Sequence, residues 1–479
     1  MRKIKVIFIN LGLRRPLYPL ATPPMGIMYL SAYLRNELKS KVEVRLINQR
    51  LENWTNEKIV REVNSFLPDI IAISTLTTFA YLLPGLVSLL REACPKSWIV
   101  LGGPHASSVR GEVFDTADVD MVVPGEGEVA FKMIVESYPD KALLKDIPGI
   151  IWRDDKREVI CNEGMLPVVE TLDDLPFPDY ELIDLPRYWK HQSIAPVRWR
   201  KYASLLSSRG CPYQCMWCHS IFGRKIRMHS PERVVDEIEY LAKRYNICDF
   251  EFLDDTFNFN SKRVVQISEL LLKKGLKTKL AFPTAIRGDL VTQEVVEAMC
   301  SVGTYLCGYS LETGSPRLQQ FTCKRLDIPK FLKAVEMTAE KNIYITGFCM
   351  MGFPTETEKE LEMTIDIACK SRFHTASFFT VTPFPGTPLY EWVKNNRPEK
   401  LAKINYNNMD FSAMRVNLTD LPDDVLFSYQ RKAMKRFYAD PLRIYRLLRA
   451  YPKPLYLPYY IPIFIHRATK GLWNWNSSP

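Results

Sequence analysis

The sequence predicts an α/β protein built as a doubly wound parallel sheet, then an open partial (β/α)6 barrel, then a helical C-terminal extension. Short apolar, β-branched runs alternate with helix-period segments twice along the chain. Between the two patterns, Leu172-Asp-Asp-Leu-Pro-Phe-Pro-Asp-Tyr180 brings two prolines within three residues and ends regular structure. After residue 395 the alternation gives way to helical and aromatic segments. A chain of 479 residues exceeds one compact core. Its 47% hydrophobic and 25% charged content is that of a globular protein and excludes a disordered one.

In the first pattern, expected to occupy residues 1–145, strands are predicted at residues 4–9, 42–47, 70–74, 98–101 and 121–123, with helices between them. The basic N-terminus followed by Val-Ile-Phe-Ile9 is too short for a signal peptide and reads as the first strand, so a cytoplasmic protein is expected. Five strands joined by helices make a parallel sheet, whose ligands sit at the carboxyl ends of the strands. Those ends carry Ser74, Thr75, Gly102, Gly103, Pro104, Gly125, Glu126 and Gly127, small residues for the most part, which let backbone approach a large ligand. None forms a dinucleotide fingerprint, and a glycine turn alone is more often a tight connection than a binding loop.

Residues 146–200 read as a linker containing a hairpin, 149–152 and 158–161 around the turn 153–156. The second pattern, residues 201–395, predicts strands at 203–208, 249–253, 279–282, 305–311, 344–351 and 376–382. Ser230-Pro231 is a helix start with serine as N-cap, and Val234, Val235, Ile238, Leu241 and Ala242 form one apolar face. Six βα units curve into a partial barrel with its chemistry at the carboxyl ends. Asp254, Asp255, Arg287, Ser310, Glu312, 352–356 and 383–388 fall there. Each also has a plain structural reading: an aspartate pair caps the next helix, Arg287 pairs with Asp289, and Pro-Phe-Pro-Gly is a turn.

Directly after the first barrel strand comes Cys211-Pro-Tyr-Gln-Cys215-Met-Trp-Cys218. Three thiolates at this spacing hold three irons of a four-iron, four-sulfur cluster and leave the fourth iron open to chemistry. The next cysteine, Cys248, lies thirty residues on in an expected buried strand. A zinc knuckle completed by His219 or Cys248 is the competing reading, weakened by the lack of a second ligand pair. The remaining cysteines are scattered singly, as reduced core residues are.

The Cys-x3-Cys-x2-Cys spacing, with aromatic Trp217 before the last cysteine, resembles the radical S-adenosylmethionine (SAM) superfamily. The resemblance makes Cys211, Cys215 and Cys218 the ligands of a [4Fe-4S] cluster whose open iron chelates SAM. One electron then cleaves the sulfonium to a 5'-deoxyadenosyl radical. Pro23-Pro-Met-Gly-Ile-Met-Tyr-Leu-Ser-Ala-Tyr-Leu34, Leu101-Gly-Gly-Pro-His-Ala-Ser107 and Pro124-Gly-Glu-Gly-Glu128 look like the cobalamin-binding domain that precedes many such enzymes. Over roughly residues 1–390 the chain is thus similar to the class B radical SAM methylases, the anaerobic magnesium-protoporphyrin cyclases and hopanoid-tailoring enzymes. The likeness implies SAM contacts at Ser310 and Glu312 (ribose and amino group) and at Thr382, Pro383 and Phe384 (adenine); Trp217 inside the motif and, by strand-end position, Asp254, Asp255 and Arg287 (toward the carboxylate) are further candidates. It implies cobalamin contacts at Ser74, Thr75, Gly102, Gly103, Pro104, Gly125, Glu126 and Gly127. Many cobalamin domains ligate cobalt through a histidine after the first strand. Here Asn10-Leu-Gly-Leu-Arg14 has none, so cobalt without a protein imidazole is implied, and His105 in the Gly-Gly-Pro-His turn reads equally as a polar loop residue.

The expected reaction is C-methylation of an unactivated carbon of a hydrophobic metabolite of lipid, isoprenoid or tetrapyrrole type, with an external one-electron donor of ferredoxin or flavodoxin type. Radical cyclisation, rearrangement or water-derived oxygenation is the alternative, and a non-catalytic iron-sulfur or zinc protein a third. In residues 396–479, Arg431, Lys432, Lys435, Arg436, Arg443, Arg446 and Arg449 face the single acid Asp440 and precede the apolar run 454–465. That run is too short and proline-broken for a membrane span. It reads as an extension packed over the barrel mouth with a solvated basic face, or as a peripheral membrane contact. No nucleic-acid partner is expected: the net charge of +10 is modest, and the tRNA methylthiotransferases need three further cysteines where the first domain has only Cys94.

Overall fold

Apolar, β-branched runs that alternate sides with a period of two form seven strands of one sheet: β1 (Ile4–Leu11), β2 (Val42–Asn48), β3 (Ile70–Thr75), β4 (Trp98–Gly102), β5 (Met121–Val122), β6 (Ile151–Arg153) and β7 (Val159–Cys161). A computed structural model describes residues 2–14, 20–408 and 416–458, except the Ala285 side chain. The strand order is β2-β1-β3-β4-β5-β6-β7, parallel from β2 to β5. One face packs Ile7, Ile9, Ile71 and Ile99 on Ile59, Val63 and Leu86, and the other packs Val6, Phe8 and Val100 on Ile27, Leu34 and Ile134. Both faces are covered, as a doubly wound sheet requires. The order reverses beside β1, which puts the ligand crevice at the carboxyl ends of β1 and β3.

The hairpin is not a free linker. β6 pairs antiparallel with β5, Met121 opposite Trp152, because Ile151 and Trp152 are buried and extend the first core. The linker that follows is pinned: Asp179 takes the Ser31 hydroxyl at 2.6 Å and Arg35 at 3.2 Å, and Tyr180 donates to Glu237 at 2.6 Å.

The second sheet contains β8 (Tyr202–Leu205), β11 (Asp249–Phe252), β12 (Lys279–Ile286), β13 (Thr304–Glu312), β14 (Tyr344–Met351) and β15 (Thr375–Thr380), all parallel and in chain order from one edge to the other. Strands added in sequence with right-handed helical crossovers make the partial barrel. The first strand ends at Leu205, and Ser208–Arg209 separates as β9, pairing antiparallel with β10 (Arg227–Met228) in a two-stranded ribbon. The ribbon brackets the cysteine loop. The helix Pro231–Tyr245 starts where expected, with Ser230 Oγ accepting from Arg233 N at 3.1 Å.

The C-terminal helices Asp423–Tyr438 and Pro441–Ala450 run along the β15 edge, where Tyr438 donates to the Ala376 carbonyl and Gln430 to that of Phe378. The basic row is not one solvated face. Arg443 is 1% exposed and donates to the Ser371 and Phe373 carbonyls over the Phe437 ring, and Arg436 pairs with Asp366 at 2.7 Å. Residues 459–465 of the apolar run lie outside the described residues. No helix among the described residues is long and apolar enough to cross a membrane.

Candidate functional site

The cysteine loop leaves the carboxyl end of the barrel held by its backbone. Met216 N donates to Thr322 O at 3.0 Å, and Leu389 N to Met216 O at 2.9 Å. Trp217 packs on Phe353, ring centroids 5.3 Å apart, in a cluster with Val381, Leu389 and Leu418, so its indole anchors the loop. Cys215 is buried, and its thiol is pulled down to about 7 by the hydrogen bond with Cys218 and by the charge of Lys324. Cys211 Sγ lies 3.5 Å from Thr256 Oγ1. Among the described residues no three His, Cys, Asp or Glu side chains converge on one point. Cys248 is exposed immediately ahead of β11, at the opposite end of that strand from the loop, and so offers no fourth ligand. His219 turns to Ser108 Oγ at 3.3 Å.

Beside these thiols, Glu312 ends β13 at φ +63°, an uncommon backbone for a residue with a Cβ. It is 8% exposed, burial raises its pKa, and Ser310 and Lys324 (Nζ to Oε1, 3.7 Å) oppose that rise. Cys323 and Arg325, on either side of Lys324, also have positive φ, so backbone strain gathers at this corner. Phe384 stands 6.2 Å from His219, and the Pro383 carbonyl takes the Tyr406 hydroxyl at 2.5 Å. Thr382 is buried alongside them. The structure thus gathers the cysteines, Ser310, Glu312 and 382–384 at one mouth.

Two expected contacts are engaged elsewhere. Asp254 accepts from Ser207 Oγ at 2.8 Å and Ser208 Oγ at 2.5 Å, tying β11 to the end of β8. Arg287 pairs with Asp289 at 2.8 Å, donates to the Lys324 and Arg325 carbonyls, and lies 3.7 Å over Tyr213, which makes it a support of the cysteine loop. Asp255, by contrast, is exposed and takes the Gly210 N–H.

At the crevice of the first sheet, Thr75 Oγ1 donates to Leu11 O at 3.2 Å. Gly103, at φ +80°, is held to glycine by its neighbour, because a Cβ there would meet Ser74 Oγ at 2.2 Å. The close approach at that position is internal. A Cβ on Gly102 would meet only Val123 O, at 3.7 Å, and one on Gly26 nothing within 4 Å. Pro104 starts the helix Gly103–Val109. His105 Nδ1 lies 3.3 Å from Thr77 Oγ1, and burial lowers its pKa to about 4, so the ring is neutral. Glu126, expected at a cofactor, is instead saturated by Arg209 and Arg227. Gly125 and Gly127 flank it, and the Gly125 N–H donates to Ser107 Oγ at 2.8 Å. The two carboxyl edges face each other: a Cβ on Gly386 would meet Ser108 Cα at 2.9 Å, and one on Gly125 would lie 3.6 Å from Ile221 O.

Residues 205–368 match the profile of the Radical SAM superfamily and residues 18–135 that of the B12 binding domain. An uncharacterized methyltransferase of Pyrococcus horikoshii is 30% identical over 423 residues, covering 88% of each chain. This chain belongs to the cobalamin-dependent radical SAM enzymes. The anaerobic magnesium-protoporphyrin IX monomethyl ester cyclase of Cereibacter sphaeroides is 24% identical over 422 residues, 86% of this chain and 67% of its own. The structure of TsrM, a radical SAM methyltransferase from Kitasatospora setae with cobalamin and a [4Fe-4S] cluster bound, shares the fold at a TM-score of 0.72 and 15% identity, covering 93% of this chain and 90% of that one.

As a radical SAM enzyme with a B12 domain, the protein uses a [4Fe-4S] cluster, SAM and cobalamin. The donor set fits the cluster: three thiols within eight residues, with Cys215 poised to ionise and Lys324 close by to balance thiolate charge. The backbone at the first sheet's edge fits close approach of a large cofactor: a Cβ would meet nothing within 4 Å at Gly26 and only Val123 O, at 3.7 Å, at Gly102. Lys324, Thr256, Arg209 and Arg227 escaped the sequence reading. Only Arg209, two residues before Cys211, carried a positional signal, and a single arginine beside a motif is too common to read.

Proposed function

We propose that this enzyme C-methylates an unactivated carbon of a hydrophobic metabolite at the junction of its two sheets. The observation that carries this is the backbone contact of the two carboxyl edges at Gly386–Ser108 and Gly125–Ile221, which supports one reaction chamber shared by both domains. When bound, the cofactors supply a methyl group and a hydrogen-abstracting carbon radical. Cys211, Cys215 and Cys218 hold the cluster. Ser310 and Glu312 meet the hydroxyl and ammonium groups of SAM, Asp255 adds an open carboxylate, and Thr382, Pro383 and Phe384 form the adenine wall. Ser74, Thr75, Gly102, Pro104, Gly125 and Gly127 would border the cobalamin, and the chain would supply no imidazole ligand to it. Lys324 balances the charge of the loop. A small one-electron donor of ferredoxin or flavodoxin type completes the system.

A second reading, radical ring closure, is favoured by the named cyclase relative at 24% identity. Anaerobic incubation with methyl-13C-SAM, a low-potential reductant and an organic-solvent extract of metabolites separates the two. Methylation predicts a 13C-labelled product formed together with 5'-deoxyadenosine. An unlabelled product accompanied by 5'-deoxyadenosine would replace methylation by cyclisation or rearrangement.

A further inference from the structure

Both stems of the cysteine loop carry an arginine, and the ribbon sets them opposite each other, Arg209 against Arg227. Their guanidinium groups meet on one carboxylate of the other domain. Arg209 Nη1 donates to Glu126 Oε2 at 2.6 Å, and Arg227 Nη2 donates to Oε1 of the same residue. The second arm of Arg209 reaches Glu128 Oε1 at 2.7 Å, and Arg227 also donates to the Val169 carbonyl at 2.6 Å. Tyr29 and Phe222 rings flank Arg209 at 4.9 and 5.4 Å. Arg209, Arg227, Glu126 and Glu128 are 3%, 8%, 6% and 5% exposed.

Two cations and two anions have therefore been taken out of water in a neutral, fully bonded set. Such sets add little net stability over well-packed apolar residues, because desolvation offsets the Coulomb attraction. What they do impose is direction, since a forked guanidinium on a carboxylate tolerates little angular error. Glu126 lies in the turn Gly125–Glu128 at the edge of the first sheet, and both its oxygens hold the base of the loop that carries Cys211, Cys215 and Cys218.

We propose that Glu126 is a positioning residue: by clamping Arg209 and Arg227 it fixes the cysteine loop against the first domain and so sets the separation of the two metal centres. This rests on the reading that the loop holds the cluster and the first domain holds cobalamin. In a reaction where a radical made at one centre must meet a methyl group held at the other, this separation is the quantity the protein has to control.

The experiment is a distance measurement on the holoenzyme. Protein reconstituted anaerobically with iron, sulfide and hydroxocobalamin is reduced so that cluster and cobalt are both paramagnetic, and their dipolar coupling is read by pulsed electron paramagnetic resonance. Wild type should give one narrow distance distribution. Glu126→Gln leaves two buried guanidinium groups short of charge and can fail to fold, so it is paired with the charge-balanced double variant Glu126→Gln/Arg227→Met, in which Arg209 keeps Glu128. That variant, retaining wild-type iron and cobalamin, should show a distribution shifted and at least about twofold broader. Glu126→Asp, which keeps the charge, should fall between. A loaded double variant with the wild-type distribution would overturn the positioning role alone. Wild type that retains its iron but no cobalamin would overturn the cofactor reading beneath it, and the inference with it.

Discussion

Glu312 and Lys324 show how a single residue's environment does what its identity alone does not announce. A glutamate at a strand end is ordinary, but here it is buried, left-handed in backbone and 3.7 Å from a lysine that also influences Cys215. Glu312 was legible because it ends a strand. Lys324 was not, because Cys323-Lys-Arg325 has no periodic signal and reaches the site only through the fold. His374 illustrates the same dependence at a position remote from the cysteines. Its Nδ1 accepts the Ile345 N–H at 3.0 Å and its ring stacks on Tyr344, while burial, together with Arg446, Arg372 and Arg443, lowers its pKa to about 4. The unfolded chain takes up this proton near pH 6.5 and the folded one near 4, so stability falls as pH drops through that window. At pH 5 the difference is worth about 2 kcal/mol. Denaturant titrations at pH 7 and pH 5 should therefore show a smaller loss for His374→Gln, which keeps an acceptor, than for wild type. Equal losses would mean that His374 is not held neutral.

At the scale of elements, the strands were legible and the loop geometry was not. Five parallel strands and six barrel strands follow from short β-branched runs spaced by helical segments, because burial on both faces leaves few alternatives. The ribbon β9–β10 was hidden, since two residues per strand make no pattern. The hairpin was visible, but its attachment to β5 was not, since register depends on Ile151 and Trp152 finding a partner core. The ribbon is also where the loop is most sensitive. Gly210 has φ +88°, and a Cβ there would meet Lys225 O at 2.4 Å, whereas Gly223, at φ +76°, has nothing within 4 Å. Gly223→Ala should cost only the left-handed backbone penalty, about 1–2 kcal/mol. Gly210→Ala should cost more and bind distinctly less iron on reconstitution, because its clash opens the base of the cysteine loop. Equal iron content in the two variants would separate the ribbon from cluster binding.

Over the whole molecule, two parallel sheets meet by their carboxyl edges, the ends where such sheets bind ligands. Each sheet and the cysteine motif were readable in the sequence one at a time. Their apposition was not, because it is made by contacts far apart in the chain: Ser108 with Gly386, Gly125 with Ile221, and Glu126 with Arg209 and Arg227. The same apposition explains why Glu126, expected at a cofactor, serves ion pairing instead. The account stands on both cofactor centres belonging to this one chain. The measurement that tests it most directly is anaerobic reconstitution with iron, sulfide and hydroxocobalamin, followed by gel filtration, metal and cobalamin quantitation, and electron paramagnetic resonance of the reduced cobalt. Near-stoichiometric cobalamin beside a cluster of four irons, with no nitrogen ligand from the protein below cobalt, is the expected result. A loaded cluster with no retained cobalamin would contradict it.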